Sequence, residues 1–167
     1  MCCKIIIMKK VLFILVLLIS FAGLYAQSAD VVTQIINAPR ATYGQVCYLS
    51  AVHQKLVTEK SSLKNAVEVL YKEGQIPSLY DENEAAKLED IAAIYMKMWP
   101  EEKAGLMYRI TKGSKRYAYK YLKDMGMIQY SCDADQAVSG REALNILTAC
   151  MAEIAPEAEN MNMEIGE

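Results

Sequence analysis

The chain has one histidine, one tryptophan, two phenylalanines and four prolines among its 167 residues. With His53 as the only imidazole, a Ser-His-Asp or Cys-His arrangement has a single candidate base, and a His-x-x-x-His ligand pair is excluded. His53 is expected on the apolar stripe of a helix, six residues from Cys47, so the two project to different faces. No glycine-rich phosphate loop occurs. No stretch alternates with period two, and β-branched runs are missing beyond residue 26, which argues against a sheet. A second long apolar run is missing as well, so no membrane span is expected in the mature form.

The one apolar run that exists is at the start. Met8-Lys9-Lys10 precedes an unbroken apolar stretch over 11–18, and Ser20, Gly23 and Leu24-Tyr25-Ala26 follow. A positive n-region, an apolar core and a small residue before a cut form the pattern of a secretory signal peptide over 1–26. Met8 reads as the better start. The stretch over 11–26 falls short of the roughly 18–20 residues that a spanning helix needs. The expectation is an exported protein, in the periplasm or at the cell surface, beginning at Gln27. It comprises one domain over 27–155 and a flexible tail over 156–167.

Residues 27–167 carry 15 basic against 20 acidic side chains, a net charge of −5. That balance disfavours nucleic acid, which calls for a strongly basic face. Three cysteines remain after the signal, Cys47, Cys132 and Cys150. Two of them can pair in an oxidising compartment, or all three can be buried as small apolar residues. Their spacing fits no zinc pattern. Neither a metal nor a cofactor is expected. The acidic loop Asp133-Ala134-Asp135 lacks the glycine and glutamate of a calcium-binding loop.

Helical periodicity fills the rest. Stripes run through Val46, Leu49, His53 and Leu56, through Leu63, Ala66, Val67, Leu70 and Tyr71, and through Leu88, Ile91, Tyr95 and Met98. Two more run through Tyr117, Ala118, Tyr121 and Leu122, and through Ala143, Leu147, Cys150 and Ile154. The expected class is all-α. Thr42-x-x-Gln45 and Ser139-x-x-Glu142 read as capping boxes. Asp81 to Glu84 read as an acid-loaded helix start, and Pro100 as an early residue of a short helix that breaks at Thr111 to Ser114. Gly74 and Gly126 read as left-handed helix ends.

Those glycines also mark a repeat. Residues 66–76 align with 118–128 at an offset of 52, with Ala, Leu, Gly and Ile recurring. Each segment leads through a polar loop to a second apolar helix, and Thr42 opens a third copy of that second helix. The reading is about two and a half stacked helix–loop–helix hairpins that bury their faces on one another.

The stretch over 116–128, the loop with Asp133 and Asp135, and Val138-Ser139-Gly140-Arg141-Glu142 together resemble an S-layer homology motif. The resemblance extends over 41–153. It implies an exported protein that binds cell-wall polysaccharide, with an arginine at the second helix's start touching the glycan. Tyr43, Lys87 and Gly140 stand at that arginine's place in the three copies, and Arg141 comes one position late.

One surface stands out. Lys112, Arg116 and Lys120 follow at helical steps, and Tyr119 is expected beside them, while Tyr117 and Tyr121 turn inward. Cations with an aromatic plate suit sugars carrying acid groups or an acidic protein. The expected binding residues are Lys112, Arg116, Tyr119, Lys120 and Arg141. No catalytic residue is expected. The function expected is a non-enzymatic cell-envelope protein that binds wall polysaccharide, or else a module that docks an envelope protein.

Overall fold

Thr42 starts its helix as its sequence dictates. Its hydroxyl accepts from the Gln45 amide, and the Gln45 side chain accepts in return from the Thr42 amide, so both halves of the capping box form. The computed structural model describes residues 30–100 and 103–154; the expected signal segment and the tail from Pro156 lie outside the described residues. Helical backbone covers residues 30–37 (α1). The helices that follow are α2 (Tyr43–His53), α3 (Leu63–Lys72), α4 (Leu88–Met96), α5 (Leu106–Ile110), α6 (Lys115–Asp124) and α7 (Gly140–Ile154). The class is all-α, with two isolated β-bridges and no strand among the described residues. None of these helices is long and apolar enough to cross a membrane. The chain divides into two compact units between Gln34 and Ile35, and all that follows concerns the second.

The glycine-terminated helices α3 and α6 have the same build. Each is ten residues long and begins after a serine, Ser62 or Ser114. Gly74 (φ +67°) and Gly126 (φ +77°) take the left-handed conformation that ends each helix. The next amides, of Gln75 and Met127, reach back to the carbonyls of Leu70 and Leu122 at 2.9 Å in both cases. Ala66, Leu70 and Ile76 are buried, and so are Ala118, Leu122 and Ile128. Helix α3 packs chiefly on α2, and α6 chiefly on α4, while α2, α4 and α7 touch one another. The packed hairpins are therefore α2–α3 and α4–α6. The periodicity had joined each glycine-terminated helix to the helix after it; in the fold it lies against the helix before it.

Backbone bonds lace the entries of α2, α4 and α7 together. The Ala86 amide donates to the Ala41 carbonyl at 2.9 Å, and the Ala41 amide donates to the Val138 carbonyl at 2.7 Å. The Tyr43 amide meets the Glu84 carbonyl, and the Leu88 amide meets the Gln136 carbonyl, both at 2.9 Å. The bridges Thr42–Ala85 and Lys87–Ala137 fall at matching places. Buried loops are thereby satisfied without a sheet. At Gly140 a Cβ would lie 1.8 Å from the Ile35 carbonyl oxygen, so only glycine admits this approach.

Three local expectations are corrected. Helix α2 has no polar face: Tyr43, Gly44 and the run from Val46 to Ala51 are all buried, whereas His53 and Leu56 are exposed at the helix's end. A central helix is covered from several sides, so its buried surface is not a stripe. Asp81 to Glu84 form a turn, in which the Asp81 carboxylate accepts from the Asn83 amide at 2.9 Å. Helix α4 starts later, with Lys87 as its N-cap. Pro100 opens a turn through bonds from the Lys103 and Ala104 amides, and α5 begins only at Leu106.

Candidate functional site

The long-range bonds at the start of α4 fix Asp90. With Lys87 extended and the Leu88 and Glu89 amides held by Gln136 and Ala134, the third helical residue turns into the protein. Asp90 is 6% exposed, so its carboxylate needs partners. The Tyr43 hydroxyl donates to Asp90 Oδ2 at 2.7 Å, and Lys115 Nζ lies 3.5 Å from Oδ1 and 2.6 Å from Glu89 Oε1. Burial, and then the bond to Asp90, push the Tyr43 hydroxyl well above the usual tyrosine range. The bond to Glu89 raises Lys115 and keeps it charged. The Tyr80 ring stacks on Tyr43 at 4.1 Å between centroids.

Beside this network lies a cavity of about 260 Å³. Its wall includes Gly74, Pro77, Tyr80, Asp90, Ala93, Lys97, Lys112 and Lys115. A second cavity, of about 460 Å³, is lined by Gln129, Ser131, Cys132, Gln136, Ser139, Arg141, Glu142 and Asn145. The two correspond: Pro77, Tyr80, Asp90 and Ala93 map onto Gln129, Cys132, Glu142 and Asn145 at the offset of 52. That register makes Asp90 the counterpart of Glu142 and Leu88 the counterpart of Gly140.

A third cavity, of about 340 Å³, shares Lys97, Lys112 and Gly113 with the first. Met96, Trp99 and Ala104 give it an apolar floor, and Arg109 adds a further cation. The buried Tyr108 hydroxyl on its wall has no partner among the described residues. Lys112 enters both cavities from a left-handed backbone (φ +53°), an unfavourable conformation for a side-chain-bearing residue. Gly113 follows at φ +86°, and a Cβ there would sit 3.0 Å from Lys97 Nζ.

The expected binding residues are dispersed. Lys112 and Arg141 line different cavities. Arg116 and Lys120 are exposed on α6, with Lys120 Nζ 6.0 Å above the Tyr117 ring. Tyr119 is not a surface plate. It is buried, its hydroxyl donates to the Cys132 carbonyl at 2.6 Å, and Lys123 Nζ caps that hydroxyl at 2.8 Å. Tyr117 and Tyr121 are half-buried, and the Tyr121 hydroxyl donates to the Lys103 carbonyl. Lys97, Tyr80 and Arg109 were missed. They line these walls from three different elements, and no local spacing joins them.

Cys47, Cys132 and Cys150 are buried and unbridged. Burial pushes the Cys47 and Cys150 thiols up to about 12. Chemically, the walls offer cations, an aromatic ring and two carboxylates: Asp90, held by Tyr43 and Lys115, and Glu142, which accepts from Cys132 Sγ at 3.8 Å. That set can bind and orient an anion. Comparison with protein-family models, curated proteins and solved structures found no match to this chain.

Proposed function

We propose that this protein is an exported module of the cell envelope, built from stacked helical hairpins in the manner of S-layer homology repeats, and that it binds an anionic wall polysaccharide without catalysing a reaction. One observation carries the reading: cavities lined by matching positions recur 52 residues apart, each at a helix entry and each with a cation on its rim, Lys112 in one and Arg141 in the other. A polymer with a repeated charge is recognised by a repeated cationic groove, since two weak contacts on one chain reinforce each other. Tyr80, held by its stack on Tyr43, supplies a ring face against which a sugar packs.

Co-sedimentation with purified cell-wall sacculi tests this. The protein pellets with sacculi, and K112E with R141E reduces the bound fraction at least tenfold while leaving the helical circular dichroism spectrum intact. No pelleting, or pelleting that both substitutions leave unchanged, overturns the reading.

A further inference from the structure

Helix α5 turns its large apolar residues outward. Leu106, Met107 and Ile110 are 68%, 48% and 64% exposed, while Tyr108 between them is buried. Water contact with three adjacent large apolar groups is unfavourable, and such a patch marks a surface that meets something else. Along the chain, the charge from Lys103 to Lys123 is one-sided, although Lys115 is paired with Glu89. Residues 103–123 contain seven Lys and Arg and no Asp or Glu. The rest of 27–167 has eight basic against twenty acidic residues, so the cations are concentrated in this stretch. Arg109 and Lys112 flank the apolar trio, and both are exposed.

We propose that α5 and the turn after it form a docking surface for an anionic phospholipid bilayer. Leu106, Met107 and Ile110 enter the interfacial layer, and Arg109, Lys112 and Arg116 face the lipid phosphates. An interfacial segment needs this combination of protruding apolar groups and surrounding cations. A glycan would use the cations and leave the trio in water. An acidic protein partner would need a broader apolar seat than one helix of five residues offers. Each cation near an anionic surface strengthens partitioning roughly fivefold at low salt, so the attachment is reversible and salt-sensitive. The proposal rests on exposure and charge; Lys112 is shared with the proposed glycan cavity, so the apolar trio, which lines neither cavity, is what separates the two readings.

The test is fluorescence of the full chain carrying L106W, whose only other tryptophan, Trp99, is buried. With vesicles of equal parts phosphatidylglycerol and phosphatidylcholine, the emission shifts to the blue and brominated lipid quenches it. R109E with K112E weakens the apparent partitioning at least tenfold, and raising the salt reverses it. In a chain without L106W, L106S with I110S leaves sacculus pelleting unchanged. An absent shift overturns the proposal. So does an equal shift on pure phosphatidylcholine, or a concentration-dependent shift without lipid, which would make a second copy the occupant.

Discussion

Hairpin α2–α3 closes through nine residues, 54–62, whereas hairpin α4–α6 takes eighteen, 97–114, and folds α5 into the excess. The frames match. Leu70 and Leu122 are fully buried, Gly74 and Gly126 end their helices alike, and Ile76 and Ile128 return to the core. The connections do not. The first ties itself down, as the Tyr48 hydroxyl donates to the Glu59 carbonyl and Gln54 and Gln75 exchange side-chain bonds at 2.8 and 2.9 Å. Each carries a left-handed lysine, Lys55 (φ +59°) or Lys112 (φ +53°), but the second adds two cavity rims and an exposed apolar trio. Few positions define the hairpin, so the connection is free to acquire surface chemistry at little cost to the frame.

The strongest challenge to this equivalence is a matched pair of core truncations. Leu70→Ala and Leu122→Ala each delete a fully buried side chain against the partner helix. Each should lower unfolding free energy by about 2–5 kcal/mol in urea titration. If the hairpins are equivalent, the two losses agree within about 1 kcal/mol. A cost at one site and near-neutrality at the other would mean that the frame holding the near-neutral site is the looser of the two.

A smaller effect separates the cores by titration. Cys47 lies in α2 where α4 has Ala92, counting from the residue after each N-cap. Its thiol rises from about 9 to about 12 because burial disfavours the thiolate. Above pH 9 the unfolded chain releases this proton while the folded chain keeps it, so stability falls as pH rises toward 12. The slope is about 1.4 kcal/mol per pH unit for each such thiol. Cys150 in α7 adds an equal share. Cys47→Ala should remove half of that thiol-linked slope in unfolding curves taken between pH 8 and 11. An unchanged slope would place the thiol in contact with water. Below pH 9 both thiols should resist disulfide exchange until the protein unfolds.

Much of the frame was legible because its signals are local. Glycine at a left-handed end, hydroxyl at an N-cap and a three-and-four apolar step each act within one turn of chain, and Thr42, Gly74 and Gly126 do what their neighbours dictate. Ser139 accepts from the Glu142 amide, one half of its expected capping box, while the Glu142 carboxylate accepts from Cys132 Sγ. The failures share a cause of the opposite kind. Tyr119 has helical spacing with the surface cations, but a carbonyl thirteen residues away draws its hydroxyl inward. The pairing of α3 with α2 is decided by connection length and by the lacing of three distant loops. The cavity walls gather Tyr80, Lys97 and Lys112 from separate elements, and that convergence has no signature along the chain.

The gentlest test lies at the start of α4, where local and long-range control compete. Lys87 takes the extended N-cap conformation (φ −80°, ψ 150°) that Thr42 also has (φ −98°, ψ 160°), yet offers no side-chain acceptor. Its geometry comes from the bridge to Ala137 and from the bonds that hold Leu88 and Glu89. Since the backbone is already set for a cap, Lys87→Ser offers a hydroxyl to the Asp90 amide, which now donates to the Lys87 carbonyl at 3.0 Å. The expected gain is about 0.5–1 kcal/mol, read as a higher urea midpoint with an unchanged slope. A loss instead of a gain would mean that the lysine stem contributes packing at this entry, and that the second hairpin is held at its first turn by contacts that the first hairpin does not need.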